Sequence, residues 1–261
     1  IGVEAFSNNQ LTTVTLPNEL TTLEEYAFAA NKLQDVTMRD KLKEIGEGAF
    51  KKNALRTVTL PNELTTLGKY AFEDNQLQEV VIGSKLKVID EGTFRNNAIQ
   101  TLTLPYELQT IGTEAFYRNS LKRLVLPNNV QAVGVHAFAS NKIESVTVSA
   151  SLKTFELSTV KTNPMKQLIL QGRDTIVTHQ YKFLNDANAE WKGLYTDAAL
   201  TDSFALNEKN GKPMTLYVAF TDTKPGENVI PPETEPTAKF KDIAGHWAQG
   251  AIESFTSLGY I

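Results

Sequence analysis

Apolar and polar positions along this chain follow two different rhythms inside each stretch of 22 residues, and the stretch then repeats. Its first half alternates over a short run, as in Val14 and Leu16 after Leu11, or Val58 and Leu60 after Leu55. A period of two predicts one short β-strand per unit. Thr15, Thr37, Thr59, Thr103 and Thr147 fall between the inward apolar residues, where a β-branched side chain suits the pleat. Pro17, Pro61, Pro105 and Pro127 close the strand, because proline has no N–H to give to a ladder. In the second half the apolar residues are spaced by three, as in Leu20 and Leu23, Leu42 and Ile45, or Leu64 and Leu67. Gly46, Gly68, Gly112 and Gly134 follow such pairs, and this spacing predicts a tight turn and then a helical or 3₁₀ return.

Two further columns share the 22-residue period. One is aromatic, running through Phe6, Phe28, Phe50, Phe72, Phe94, Phe116 and Phe138; the other is Asn9, Asn31, Asn53, Asn75, Asn97, Asn119, Asn141 and Asn163. A unit this short cannot bury its own apolar face, but stacked copies share one core. The expected fold is therefore an α/β-type repeat solenoid of parallel strands, with eight rungs spanning roughly 35 to 40 Å. Phe28, Phe50, Phe72, Phe94 and Phe116 would form its spine, each burial contributing about 1.5 to 3 kcal/mol. Asn31, Asn53, Asn75, Asn97 and Asn119 would satisfy backbone groups of neighbouring turns.

The strand residues that point away from the core offer one candidate binding surface. They are Thr13, Asp35, Thr57, Glu79, Thr101, Arg123 and Ser145, with Thr15, Thr37, Thr59, Val81, Thr103, Val125 and Thr147 beside them. This face lacks the Trp, Tyr and Arg cluster of a typical hot spot. Tyr26, Tyr70, Tyr106 and Tyr117 make an alternative patch, and the plain alternative to both is a solvated rod.

The unit, with its L-x-x-V-x-L-P-x-x-L-x-x-I-G-x-x-A-F pattern, resembles the BspA-like leucine-rich repeats of bacterial surface proteins from Ile1 to about Gln171. That resemblance implies a leucine-rich-repeat solenoid at residues 1–171 and a role in adhesion or ligand binding, with no catalytic residue to carry over. Its last rung is degenerate, with Val160 in the Phe column and Pro164 after Asn163, as in a capping repeat. Residues 172–220 alternate as strands, and the run from Ala189 to Phe220 is similar to the internalin B-repeat family. The likeness implies a small β-rich, β-grasp-like spacer, although Trp191 stands at the family's Phe position, Leu194 at its Trp position and Phe220 at its terminal Trp. Residues 221–239, with Pro225, Pro231, Pro232 and Pro236 among Thr and Glu, read as an extended linker. Residues 240–261 resemble the first half of an S-layer homology module through Phe240, Asp242, His246 and Trp247. Trp247, Ala251, Phe255 and Leu258 share a helical face there, which makes this stretch a helical fragment. The family anchors proteins to cell-wall polysaccharide. Its second half is missing here, so anchoring falls to completed modules in a longer parent.

The bulk composition narrows the function classes. Among 261 residues with a net charge of −4, Lys and Arg are dispersed, which leaves no basic track for nucleic acid. No apolar stretch approaches the ~20 residues of a membrane span. There is no cysteine, hence no disulfide, thiol nucleophile or thiolate metal site. His136, His179 and His246 are scattered with no shared metal spacing or nucleophile–base arrangement, and no hydrolase or phosphate-loop motif occurs. No cofactor, metal or catalytic residue is assigned. The expected partners are a protein or polysaccharide ligand and, through the parent's anchor modules, the wall polysaccharide of a bacterium that secretes the protein. A passive spacer, or an accessory region of a wall enzyme whose catalytic domain lies upstream, are the alternatives.

Overall fold

The computed structural model describes residues 1–179, 185, 187, 189–220, 223, 224 and 226. They lie in one unit that spans Ile1–Asn228. The S-layer-like stretch with Phe240, Asp242, His246 and Trp247 lies outside the described residues, as does most of the proline-rich segment before it.

Every rung but the fifth carries two short strands. The first strands are Thr13–Thr15, Asp35–Thr37, Thr57–Thr59, Glu79–Val81, Arg123–Val125, Ser145–Val148 and Gln167–Leu170, with residues 101–103 holding the fifth position outside any ladder. Where they pair, they do so in parallel and in strict register, Val14 beside Val36 and Val58 beside Val80. The second strands run from Thr22–Leu23 and Glu44–Ile45 to Thr154–Glu156 and Ile176–Thr178. The last of these pairs in parallel with Thr154–Glu156, so the ladder continues past Gln171, where the sequence pattern fades.

The expected helical return is not there. Leu157–Val160, a 3₁₀ turn, is the one helical segment among the described residues; the other rungs close through successive turns. The hydrogen bonds give the reason. Tyr26, Phe28 and Ala30 donate their N–H groups to the carbonyls of Glu47, Ala49 and Lys51 on the next rung at 2.8, 2.8 and 2.9 Å. An α-helix would need those donors for carbonyls four residues back. Left-handed residues at both ends of the turn, Tyr26 at φ 52° and Ala30 at φ 53°, bend the chain instead.

The core runs down the middle. Phe28, Phe50, Phe72, Phe94, Phe116 and Phe138 are all buried, and with Phe6 they stack ring on ring at 5.1 to 5.6 Å between centroids. This is offset-stacking distance for aromatic pairs. The asparagines knit the rungs beside them. Asn75 donates to the carbonyls of Phe50 and Phe72 at 2.9 and 3.1 Å, and its Oδ1 accepts from Leu55 N–H at 3.1 Å. Asn31, Asn53, Asn97, Asn119, Asn141 and Asn163 repeat this, each reaching the Phe carbonyl of the preceding rung.

Glycine decides where the second ladder holds. A Cβ on Gly46, Gly68, Gly112 or Gly134 would sit within 2.7 Å of backbone on the preceding rung, and each of these glycines donates its N–H to that rung at 2.7 to 2.8 Å. The same column carries Asp90 and Glu156, each following a glycine rung. The second sheet breaks at those two places, between Thr66–Leu67 and Val88–Ile89 and between Ala132–Val133 and Thr154–Glu156. Thr178 follows Glu156 without a break, where both strands have lengthened to three residues.

At the far end two antiparallel strands cover the last rung. Met214–Phe220 pairs with Gln167–Leu170, and Trp191–Tyr195 pairs in turn with Met214–Phe220. Leu194, Leu216, Val218 and Phe220 join the solenoid's own core, so these strands extend its sheet and bury its end.

Candidate ligand-binding face

Along the first strands, alternate side chains point away from the core. Thr13, Asp35, Thr57, Glu79, Thr101 and Arg123 are exposed, as are Thr15, Thr59, Val81, Thr103 and Val125, while Thr37 is half-buried. Ser145 and Thr147, at the seventh rung, are buried at 6% and 7% exposure, so the open face ends at Arg123.

Two recesses indent this face where neighbouring first strands are not hydrogen-bonded to each other. One, of about 270 Å³, lies between the second and third rungs and is lined by Asp35, Thr37, Met38, Asp40, Thr57, Thr59 and Pro61. The other, of about 300 Å³, lies between the fourth and fifth rungs and is lined by Glu79, Val81, Ile82, Thr101, Thr103 and Pro105. Glu19 and Glu63 pair with Lys41 and Lys85 one rung on, at 2.6 and 2.7 Å. Asp35, Asp40 and Glu79 have no such ion pair among the described residues.

The tyrosine patch resolves into something else. Tyr26 lies across Gly48 of the next rung and donates its hydroxyl to Glu47 at 2.6 Å; Tyr70 lies across Gly92 and donates to Glu91 in the same way. The carboxylate partner and partial burial push both phenols from the usual value near 10 up to about 12. Glu91 is lowered in return by the Tyr70 hydroxyl and the Lys69 ammonium. Gly48 and Gly92 are left-handed, at φ 57° and 59°, and a side chain there would enter the tyrosine ring. The Tyr117 ring meets the guanidinium groups of Arg95 and Arg118, at 5.5 and 5.2 Å from its centroid. Of the four tyrosines only Tyr106 is exposed, at 63%. Glu47 and Glu91 are thus parts of a cross-rung brace.

Of the histidines, His136 lies in a recess of about 140 Å³ on the turn side with Glu114, Tyr117 and Lys161. His179 packs on Trp191 at 4.6 Å, and burial lowers its pKa. His246 lies outside the described residues. Among the described residues no group of His, Asp and Glu could hold a metal ion, and no helix is long and apolar enough to cross a membrane.

The recesses were not legible as sites from the 22-residue period, but a longer signal marks them. Leu16–Leu23 and Leu60–Leu67 are identical in sequence, and the rungs between them differ, so the units also alternate with a 44-residue period. The first, third and fifth rungs carry Thr-x-Thr on the open face; the second and fourth carry an acidic residue and replace Leu-Pro by Met38-Arg39 and Ile82-Gly83.

A parallel solenoid with short rungs, a buried aromatic spine and an asparagine ladder defines the leucine-rich-repeat class. Within it, this chain belongs to the BspA type leucine rich repeat region family, whose pattern matches residues 1–99, 44–166 and 87–188. No curated protein matches the chain. Solved structures of similar fold include a leucine-rich repeat protein from Bacteroides ovatus, 17% identical over 69% of this chain and 60% of that one, with a TM-score of 0.44. A leucine-rich repeat protein of T. pallidum is 20% identical over 57% of this chain and 65% of its own, with a TM-score of 0.36. A leucine rich cell surface protein of Faecalibacterium prausnitzii is 13% identical over 66% and 70%, with a TM-score of 0.34. The chain spans about 60% of the length of the Bacteroides ovatus protein.

Proposed function

We propose that this chain is the ligand-binding part of a secreted bacterial surface protein, holding a protein or polysaccharide on its first-strand face. The observation that carries this reading is a division of labour inside the repeat. Phe, Asn and the inward Leu, Ile and Val positions recur from rung to rung and are consumed by the core and its ladders. The outward column changes, Thr, Asp, Thr, Glu, Thr, Arg, and stays open to solvent over six rungs. A surface that varies on an invariant scaffold is how repeat proteins build recognition. Family membership supports the surface role, and the S-layer-like stretch supports wall attachment through completed modules in a parent. The strands of residues 172–220 would then hold the face off the wall.

The chain has no cysteine, so a single Thr57→Cys substitution accepts a bulky maleimide polymer in the middle of the face. Saturable binding to immobilised extracellular-matrix proteins or to soluble wall polysaccharide should be lost on this label and kept when the same label sits at Lys52→Cys on the turn side. Binding that survives the Thr57 label would move the site elsewhere. An unlabelled chain that binds nothing saturably would favour the passive-spacer reading.

A further inference from the structure

The two recesses on the strand face are copies of one site, and this inference rests on the binding role proposed for that face. Asp35 and Glu79, Met38 and Ile82, Thr57 and Thr101, Thr59 and Thr103, and Pro61 and Pro105 occupy equivalent corners 44 residues apart. Each copy joins an equivalent carboxylate that lacks an ion pair, two threonine hydroxyls and an apolar wall of proline with Met or Ile, and the first copy adds Asp40. That combination suits one kind of side chain above others: a long aliphatic stem that ends in a cation, as in Lys or Arg.

The spacing selects the backbone that would deliver two of them. At ladder spacing two rungs separate the copies by at least about 10 Å, since the step from Asp35–Thr37 to Thr57–Thr59 is unbonded. A polyproline II chain has three residues per turn and rises ~3.1 Å per residue, so every third side chain returns to the same face after about 9.3 Å. A β-strand brings a side chain back to one face every ~6.7 Å and misses this spacing. We propose that the paired recesses bind a polyproline II segment of a partner protein that carries Lys or Arg at every third position and lies along the solenoid axis.

The site has a natural limit of two copies. One period further on, Arg123 replaces the carboxylate, and Ser145 and Thr147 are buried. The chain's own proline-rich stretch is a poor occupant, since Glu227, Glu233 and Glu235 stand where a cation is wanted.

The test uses the whole chain and a dye-labelled peptide of Pro-Pro-Lys repeats, followed by fluorescence anisotropy at physiological salt. A second peptide of the same composition with its lysines irregularly spaced is the control. The regular peptide should bind, and the irregular one should bind roughly tenfold more weakly. Asp35→Asn with Glu79→Gln, both exposed positions that leave the core untouched, should weaken the regular peptide by about tenfold or more. Equal binding of the two peptides, or a double variant as good as the parent, overturns the proposal. If neither peptide binds while the chain still holds a matrix protein or wall polysaccharide through the Thr57 face, the basic-peptide site fails and the binding face stands. If the Thr57 label leaves all binding intact, the face itself is wrong.

Discussion

Gly68→Ala tests whether contact between rungs, and not backbone conformation, requires glycine at the corner after the second strand. Gly68 is not among the left-handed residues, so alanine meets no φ penalty there. Its Cβ, however, would stand 2.5 Å from Glu47 N and 2.6 Å from Gly46 C, where ordinary contact begins at 3.4 Å. The corner must open by about 0.9 Å, which stretches the 2.8 Å bond from Gly68 N–H to Ile45 O beyond hydrogen-bonding range. Losing that bond costs about 0.5 to 1.5 kcal/mol, and the forced shift of a packed rung adds about 1 to 3. The lower chain entropy of alanine in the unfolded state returns about 0.4 to 1 kcal/mol. Net destabilisation should be about 0.5 to 4 kcal/mol by urea denaturation, with faster hydrogen exchange at the Thr66–Leu67 ladder. Asp90→Ala, at a corner where the ladder is already broken, removes only the 2.7 Å bond that Asp90 Oδ1 accepts from Glu91 N–H and should cost about 0.5 to 1.5 kcal/mol without changing ladder protection. A Gly68→Ala chain as stable as the parent, with ladder protection intact, would refute the contact argument.

Three other outcomes follow from the same geometry. Phe94→Ala removes a fully buried ring stacked on Phe72 and Phe116 at 5.6 and 5.3 Å, and should cost about 3 to 5 kcal/mol in denaturant unfolding. Asn75→Ala strands the Leu55 N–H in the core, while the Phe50 and Phe72 carbonyls keep a bond from Asn53 and Asn97, and should cost about 1 to 3 kcal/mol; a loss under about 0.5 would show that the ladder contributes little. The phenols of Tyr26 and Tyr70 are raised above their unfolded value, so their contribution is complete below pH 10 and is lost as pH climbs toward about 12. Absorbance titration should show both as late phenols, and Glu47→Gln should return the Tyr26 phenol toward 10 while Tyr70 stays near 12.

Much of this protein was readable before any coordinates. A strict 22-residue period that carries Phe and Asn columns admits few arrangements other than stacked rungs, because each unit is too short to bury its own apolar face. The parallel register follows from the same periodicity, as Thr13 beside Asp35 and Thr57 beside Glu79 illustrate. Three features were not readable. The helical return failed because spacing by three is common to helices and to successive turns, and the donors of Tyr26 and Phe28 were claimed by the next rung. Tyr26 and Tyr70 looked like surface because their partners, Gly48 with Glu47 and Gly92 with Glu91, are neighbours only after stacking. The solenoid's end was blurred because Ile176–Thr178 pairs by position and lacks the motif, and Met214–Phe220 joins the sheet from far along the chain. Local pattern determined what each rung is. Contacts between rungs, which depend on side chains 20 or more residues apart, decided which glycines are needed, which tyrosines are braces, and where the open face is recessed.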